Sequence, residues 1–140
     1  MRARHVSIAS RYTYVTVINE HAHLQQIVSG HHHLTADEPV AAGGSDAGFA
    51  ARELLLASLG SCTAAALRRA AARHDWQVGK ITVGVRWSRD AQGQEHIERR
   101  LSFARPLSEQ QKLQLLQVAE ESPISAVLRP GVTIQSAVVD

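Results

Sequence analysis

The fold is decided by Arg52-Glu53-Leu54-Leu55-Leu56-Ala57-Ser58-Leu59-Gly60-Ser61-Cys62-Thr63-Ala64-Ala65-Ala66-Leu67. This string lies inside a run from residue 50 to about residue 74 that is rich in alanine and leucine and has no interior proline, so one long helix is predicted there. Its middle is apolar on nearly all sides. A helix of that kind is buried all round, which in so short a chain demands a wrapped sheet or a second subunit. It does not read as a membrane span. Residues 54–67 are interrupted by Ser58, Gly60, Ser61 and Thr63, are flanked by Arg52, Glu53, Arg68 and Arg69, and fall short of the roughly 18–20 apolar residues a span requires.

Upstream, residues 3–36 read as strands and turns. Tyr12, Tyr14, Thr16 and Ile18 alternate with Thr13, Val15 and Val17, and β-branched and aromatic side chains dominate. The polar turn Asn19-Glu20-His21 predicts a hairpin with a strand at 24–28, and Gly30 leads a further extended piece to Thr35. Residues 37–48 then mix one proline, three glycines and three acids, which marks a long loop.

Downstream, Ile81, Val83, Val85 and Trp87 alternate with Thr82, Gly84, Arg86 and Ser88, and Asp90-Ala91-Gln92-Gly93-Gln94 supplies a turn into a returning strand at 95–104. Pro106-Leu107-Ser108 introduces a second helix, with Ser108 and Gln111 at capping-box spacing, ending near Glu121. Ser122-Pro123 opens a short helical turn to Leu128, which Arg129-Pro130-Gly131 stops. Val132, Ile134, Ser136 and Val138 predict a last strand. The order of elements fits an α+β fold with helices against one face of a mainly antiparallel sheet.

The chain has 140 residues, the length of a single domain spanning residues 1–140. Hydrophobic residues make up 44% and charged residues 20%, enough to bury a core, so the chain need not be disordered. A net charge of +2 with only 4% aromatics argues against a nucleic-acid partner, which calls for a basic stripe or a stacking platform. Met1-Arg2-Ala3-Arg4-His5 is basic, yet no apolar run follows, so a secretory signal is not expected and a cytoplasmic location is. The one cysteine, Cys62, rules out an internal disulfide and cysteine-rich zinc modules, and leaves a thiol that the cytoplasm keeps reduced.

Cys62 has a plain reading and a chemical one. Free cysteine often serves as a small buried hydrophobe. As a nucleophile it needs a cation to favour thiolate, and Arg52, Arg68, Arg69 and Arg11 are the candidates. His31, His32 and His33 point to alternate faces if extended, so only His31 and His33 could share a metal, with Asp37 or Glu38; a solvated polar strand is the simpler account. Ser58 and Ser61 sit in mid-helix without a G-x-S-x-G elbow, and Gly43-Gly44 lacks the rest of a phosphate loop. Nothing calls for a cofactor or a resident metal.

Several separated strings together resemble the OsmC/Ohr family of osmotically inducible and organic hydroperoxide resistance proteins. They are Leu34-Thr35-Ala36-Asp37-Glu38-Pro39, Gly43-Gly44-Ser45-Asp46-Ala47-Gly48 and, most specifically, Glu53-Leu54-Leu55-Leu56-Ala57-Ser58-Leu59-Gly60-Ser61-Cys62-Thr63; residues 71–76 and 107–128 follow the same pattern. The resemblance implies an intertwined α+β homodimer with two cysteine-bearing helices at its centre. Two-cysteine members reduce organic hydroperoxides: the helix cysteine attacks the peroxide, becomes sulfenic acid, and is captured by a second cysteine. Cys62 matches the attacking position.

The second position, in a C-P-[VI] string, is Ser122-Pro123-Ile124 here, so an external thiol must do the resolving or the sulfur oxidises further. The family's G-P-x-P before the helix is Gly48-Phe49-Ala50-Ala51. In the hydroperoxide branch a glutamate ten residues before the cysteine holds an arginine over the sulfur; that place is Arg52, and Glu53 stands nine before. Nine helical positions separate Glu53 from Cys62 by about 13–14 Å, so a role for Glu53 or Arg52 at the sulfur requires a bend or the neighbouring subunit. The sequence thus predicts a peroxide-reducing thiol protein with Cys62, Glu53 and Arg52 as its site, or alternatively a non-catalytic dimer that binds an apolar small molecule or senses oxidation once.

Overall fold

The computed structural model describes residues 13–139. Residues 3–12 of the predicted strand region, Arg11 and Tyr12 among them, and the basic opening residues lie outside that span. The chain divides into two compact units, the boundary falling at Leu54 and Leu55, one turn into the long helix.

The first unit is a three-stranded antiparallel sheet in the order β1 (Thr16–Ile18), β2 (Gln25–Ser29), β3 (His32–Ala36). Asn19 makes the first hairpin: its Nδ2 donates to Ala22 O at 3.0 Å and to Leu24 O at 2.9 Å, so one amide side chain pins the whole turn. Gly30, at φ 59°, makes the second. The loop after β3 is tightly organised despite its length. A short 3-10 turn at Val40–Ala42 is followed by a return alongside β3, where Phe49 bridges Ala36 and its carbonyl accepts from Asp37 N at 3.1 Å. Gly48 permits that approach, since a Cβ there would lie 2.2 Å from Thr35 O.

The second unit holds α1 (Ala51–Arg73) beyond its first turn, the hairpin β4 (Ile81–Arg89) and β5 (Glu95–Phe103), α2 (Glu109–Glu120) and α3 (Pro123–Leu128). Asp90 closes the hairpin by accepting from Gln92 N and Gln94 N, with Gly93 at φ 80°. The core joins Leu67, Ala70 and Ala71 of α1 to Val78 and to Leu115 and Ala119 of α2, with Ile81, Val83, Leu101 and Phe103 packed against them. Ser108 forms the predicted capping box with Gln111. Among the described residues no helix is long and apolar enough to cross a membrane.

The antiparallel strands of this α+β chain form, among the described residues, two sheets of three and two strands. One expectation is corrected. Residues 131–139 carry no strand: Ile134 is 87% and Val138 100% exposed, and with no described strand paired to it the segment leaves its backbone to water. Within the single chain, α1 is buried through Leu59, Thr63, Ala66, Leu67, Ala70 and Ala71, while Ala57, Ser58, Ser61 and Ala65 are exposed.

Candidate functional site

Cys62 sits mid-way along α1 as a free cysteine, half-buried as a residue. The next residue, Thr63, is wholly buried; its hydroxyl donates to Leu59 O at 2.7 Å, one turn back. The hairpin packs against this stretch of α1, where a Cβ on Gly60 would stand 3.4 Å from Val85 Cγ2, in van der Waals contact.

Among the candidate cations, Arg11 lies outside the described residues. Arg68 donates to Gly79 O at 2.8 Å, and Arg52 and Arg69 are exposed residues of α1. Glu53 is exposed in the first turn of α1, where its Oε1 accepts from Ala50 N at 2.9 Å. That is half of a capping box: the glutamate at the third helical position satisfies the N–H of the residue before the helix, and Ala50 has no side-chain acceptor to return the bond.

A different guanidinium reaches the Cys62 turn. Arg99, on β5, donates from Nη1 to Thr63 Oγ1 at 2.9 Å and to Ser125 Oγ at 2.8 Å. Its side chain is 11% exposed. Ser125 bonds in turn to Ala119 O and to Ser122 Oγ, the latter at 2.8 Å, so a chain of four polar side chains runs from α1 through β5 to the start of α3. Ser122 is 2% exposed and stands at the N-cap of α3 as predicted, but its hydroxyl makes no capping bond to a backbone amide because Ser125 engages it. Sequence reasoning missed Arg99. The available signal was its place among the inward positions Ile97, Leu101 and Phe103 of β5.

The loop after β3 shows the other strong electrostatic feature. Buried Asp37 accepts from Glu38 N at 2.8 Å, Ser45 N at 3.1 Å and Ala47 N at 3.2 Å. Burial pushes its carboxyl up, but the amides of Ala47, Glu38 and Ser45, aided by His23, outweigh that and hold it below its ordinary value. Asp37 is thereby committed to the loop backbone. His32 and His33 lie in β3, the rings of His31 and His32 lie tilted with their centres 4.1 Å apart, and among the described residues no group of three His, Cys, Asp or Glu could hold a metal ion.

An α+β chain with a lone cysteine at the middle of a long helix, two antiparallel sheets and a serine-proline helix start defines an OsmC-like fold. Solved structures agree. A candidate osmotic stress induced and detoxification response protein from Psychrobacter arcticus superposes with a TM-score of 0.74 at 18% identity, over 85% of this chain and 90% of that one. An organic hydroperoxide resistance protein OsmC from Legionella pneumophila gives 0.65 at 17%, over 84% and 89%. The organic hydroperoxide resistance protein OhrB of Bacillus subtilis gives 0.55 at 22%, over 83% and 90%. The family model for OsmC-like proteins matches residues 43–137, and the chain belongs to that family. No curated protein matches its sequence significantly.

Proposed function

We propose that this protein is a single-domain, cytoplasmic stress-response thiol protein that reduces organic hydroperoxides through Cys62 and works as a homodimer. The observation that carries the reading is the free, half-buried cysteine on α1 of an OsmC-like chain. Hydroperoxide resistance proteins among the structural neighbours support the substrate class. The Cys62 thiolate attacks one peroxide oxygen, the O–O bond breaks, and the alkoxide leaves as alcohol after taking a proton; the sulfur becomes sulfenic acid. An external thiol then attacks that sulfur, releasing water and forming a mixed disulfide, and a second thiol returns Cys62. The sum is one hydroperoxide and two thiols giving one alcohol, one water and one disulfide. Arg52 and Glu53 act as positioning groups supplied across the dimer.

A second reading rests on Ser122, where a resolving thiol would stand: the dimer binds an apolar small molecule or records oxidation once. Steady-state consumption of cumene hydroperoxide with dithiothreitol separates the two. Many equivalents per chain, abolished by Cys62→Ser, are expected; a single equivalent, or a rate no faster than free cysteine, refutes turnover.

A further inference from the structure

The inward face of the β4–β5 hairpin carries an anomaly. Its cross-strand pairs are Ile81 with Phe103, Val83 with Leu101, Val85 with Arg99 and Trp87 with Ile97. Seven of these eight side chains are apolar or aromatic. Placing a guanidinium among them removes most of its hydration, which is unfavourable unless charge and hydrogen bonds compensate. Compensation by charge is thin. The nearest carboxylate, Glu120, has Oε1 3.5 Å from Arg99 Nη2, while its Oε2 is taken by Arg129.

What the protein supplies instead is orientation. Thr63 and Ser125 occupy the Nη1 side, and both hydroxyls are themselves fixed by backbone carbonyls. Nε has no acceptor among the described residues. Nor is it sealed, because every fully buried side-chain nitrogen or oxygen among them has a partner. The Nε and Nη2 edge of a guanidinium is the fork that takes a carboxylate with two parallel bonds.

This side chain lines a cavity of about 510 Å³ with Leu59, Trp87, Ile97 and Leu128. That volume lies within the range of small-molecule sites. Glu95, also at the cavity, pairs with Arg89 at 2.7 Å and accepts from Trp87 Nε1 at 2.7 Å, while Glu120 is shared between Arg99 and Arg129.

We propose that the cavity binds small monocarboxylates with an aryl or short alkyl body, Arg99 clasping the carboxylate through Nε and Nη2 while Leu59, Trp87, Ile97 and Leu128 enclose the body. Glu120 keeps Arg129 and yields only its long contact. The site stands whether or not Cys62 reacts with peroxide.

Isothermal titration of the reduced protein with 4-phenylbutyrate, against its neutral amide, provides the test. The acid binds at least about tenfold tighter than the amide, and Arg99→Gln removes that preference. Because Arg99→Gln also cuts the link to Thr63 and Ser125, Leu128→Trp is the companion variant; it fills the cavity, leaves the Arg99 bonds in place, and abolishes binding of both probes. Equal affinity for acid and amide, no binding of the acid to the native protein, or binding untouched by Leu128→Trp overturns the proposal.

Discussion

Ser122 differs from a resolving cysteine by one atom, and it is buried beside a hydroxyl that already holds it. If the proposed chemistry is right, Ser122→Cys converts the protein to an internally resolved peroxidase: one equivalent of hydroperoxide should consume both thiols and leave an intrachain disulfide. Two thiols surviving, or cross-linking between chains alone, counts against it. Asp37 makes a different prediction. Its carboxyl sits below the ordinary value, so its stabilising contribution is complete above the unfolded-state pKa of about 4 and is lost as pH falls through the lower folded value. Thermal melts of Asp37→Asn should therefore show a lower Tm at pH 7 and a shallower acid limb than the native chain; parallel acid limbs contradict the assignment. At this scale the sequence was half legible. Cys62 and Ser122 stood out by their motifs, whereas Arg99 did not, because an arginine in a strand is ordinarily assigned to solvent and only its register reveals that it points inward.

The elements were legible wherever local chemistry agreed with tertiary need. Alanine and leucine made α1, Asp90 and Gly93 made the β4–β5 turn, and the Ser108 and Gln111 pair made the start of α2. Replacing Ser108 by alanine removes the hydroxyl that accepts from Gln111 N and should cost about 1 kcal/mol, read as a lower urea midpoint with an unchanged slope. A loss below a few tenths contradicts the capping role. Glu53 was legible as a residue but not as a cap, since the helix begins behind an alanine and gives no N-cap signal. The strand expected at 132–138 failed for the opposite reason: alternation specifies which faces a strand would show, not whether a neighbour exists to pair with it.

At the scale of the molecule, the composition foretold a chain able to bury a core, the order of elements foretold α+β, and the nearly all-round apolar middle of α1 foretold more burial than one chain provides. Exposed Ala57, Ser58, Ser61 and Ala65 on that helix are what the proposed homodimer would cover. Sedimentation equilibrium should give about twice the 15.2 kDa chain mass at micromolar concentration, and a strictly monomeric chain removes the shared-site reading of Arg52 and Glu53. The Arg99 bonds span 36 residues to Thr63 and 26 to Ser125. One guanidinium thereby ties α1, β5 and α3 to each other, three segments that the chain itself holds far apart, so its loss is felt in all of them at once.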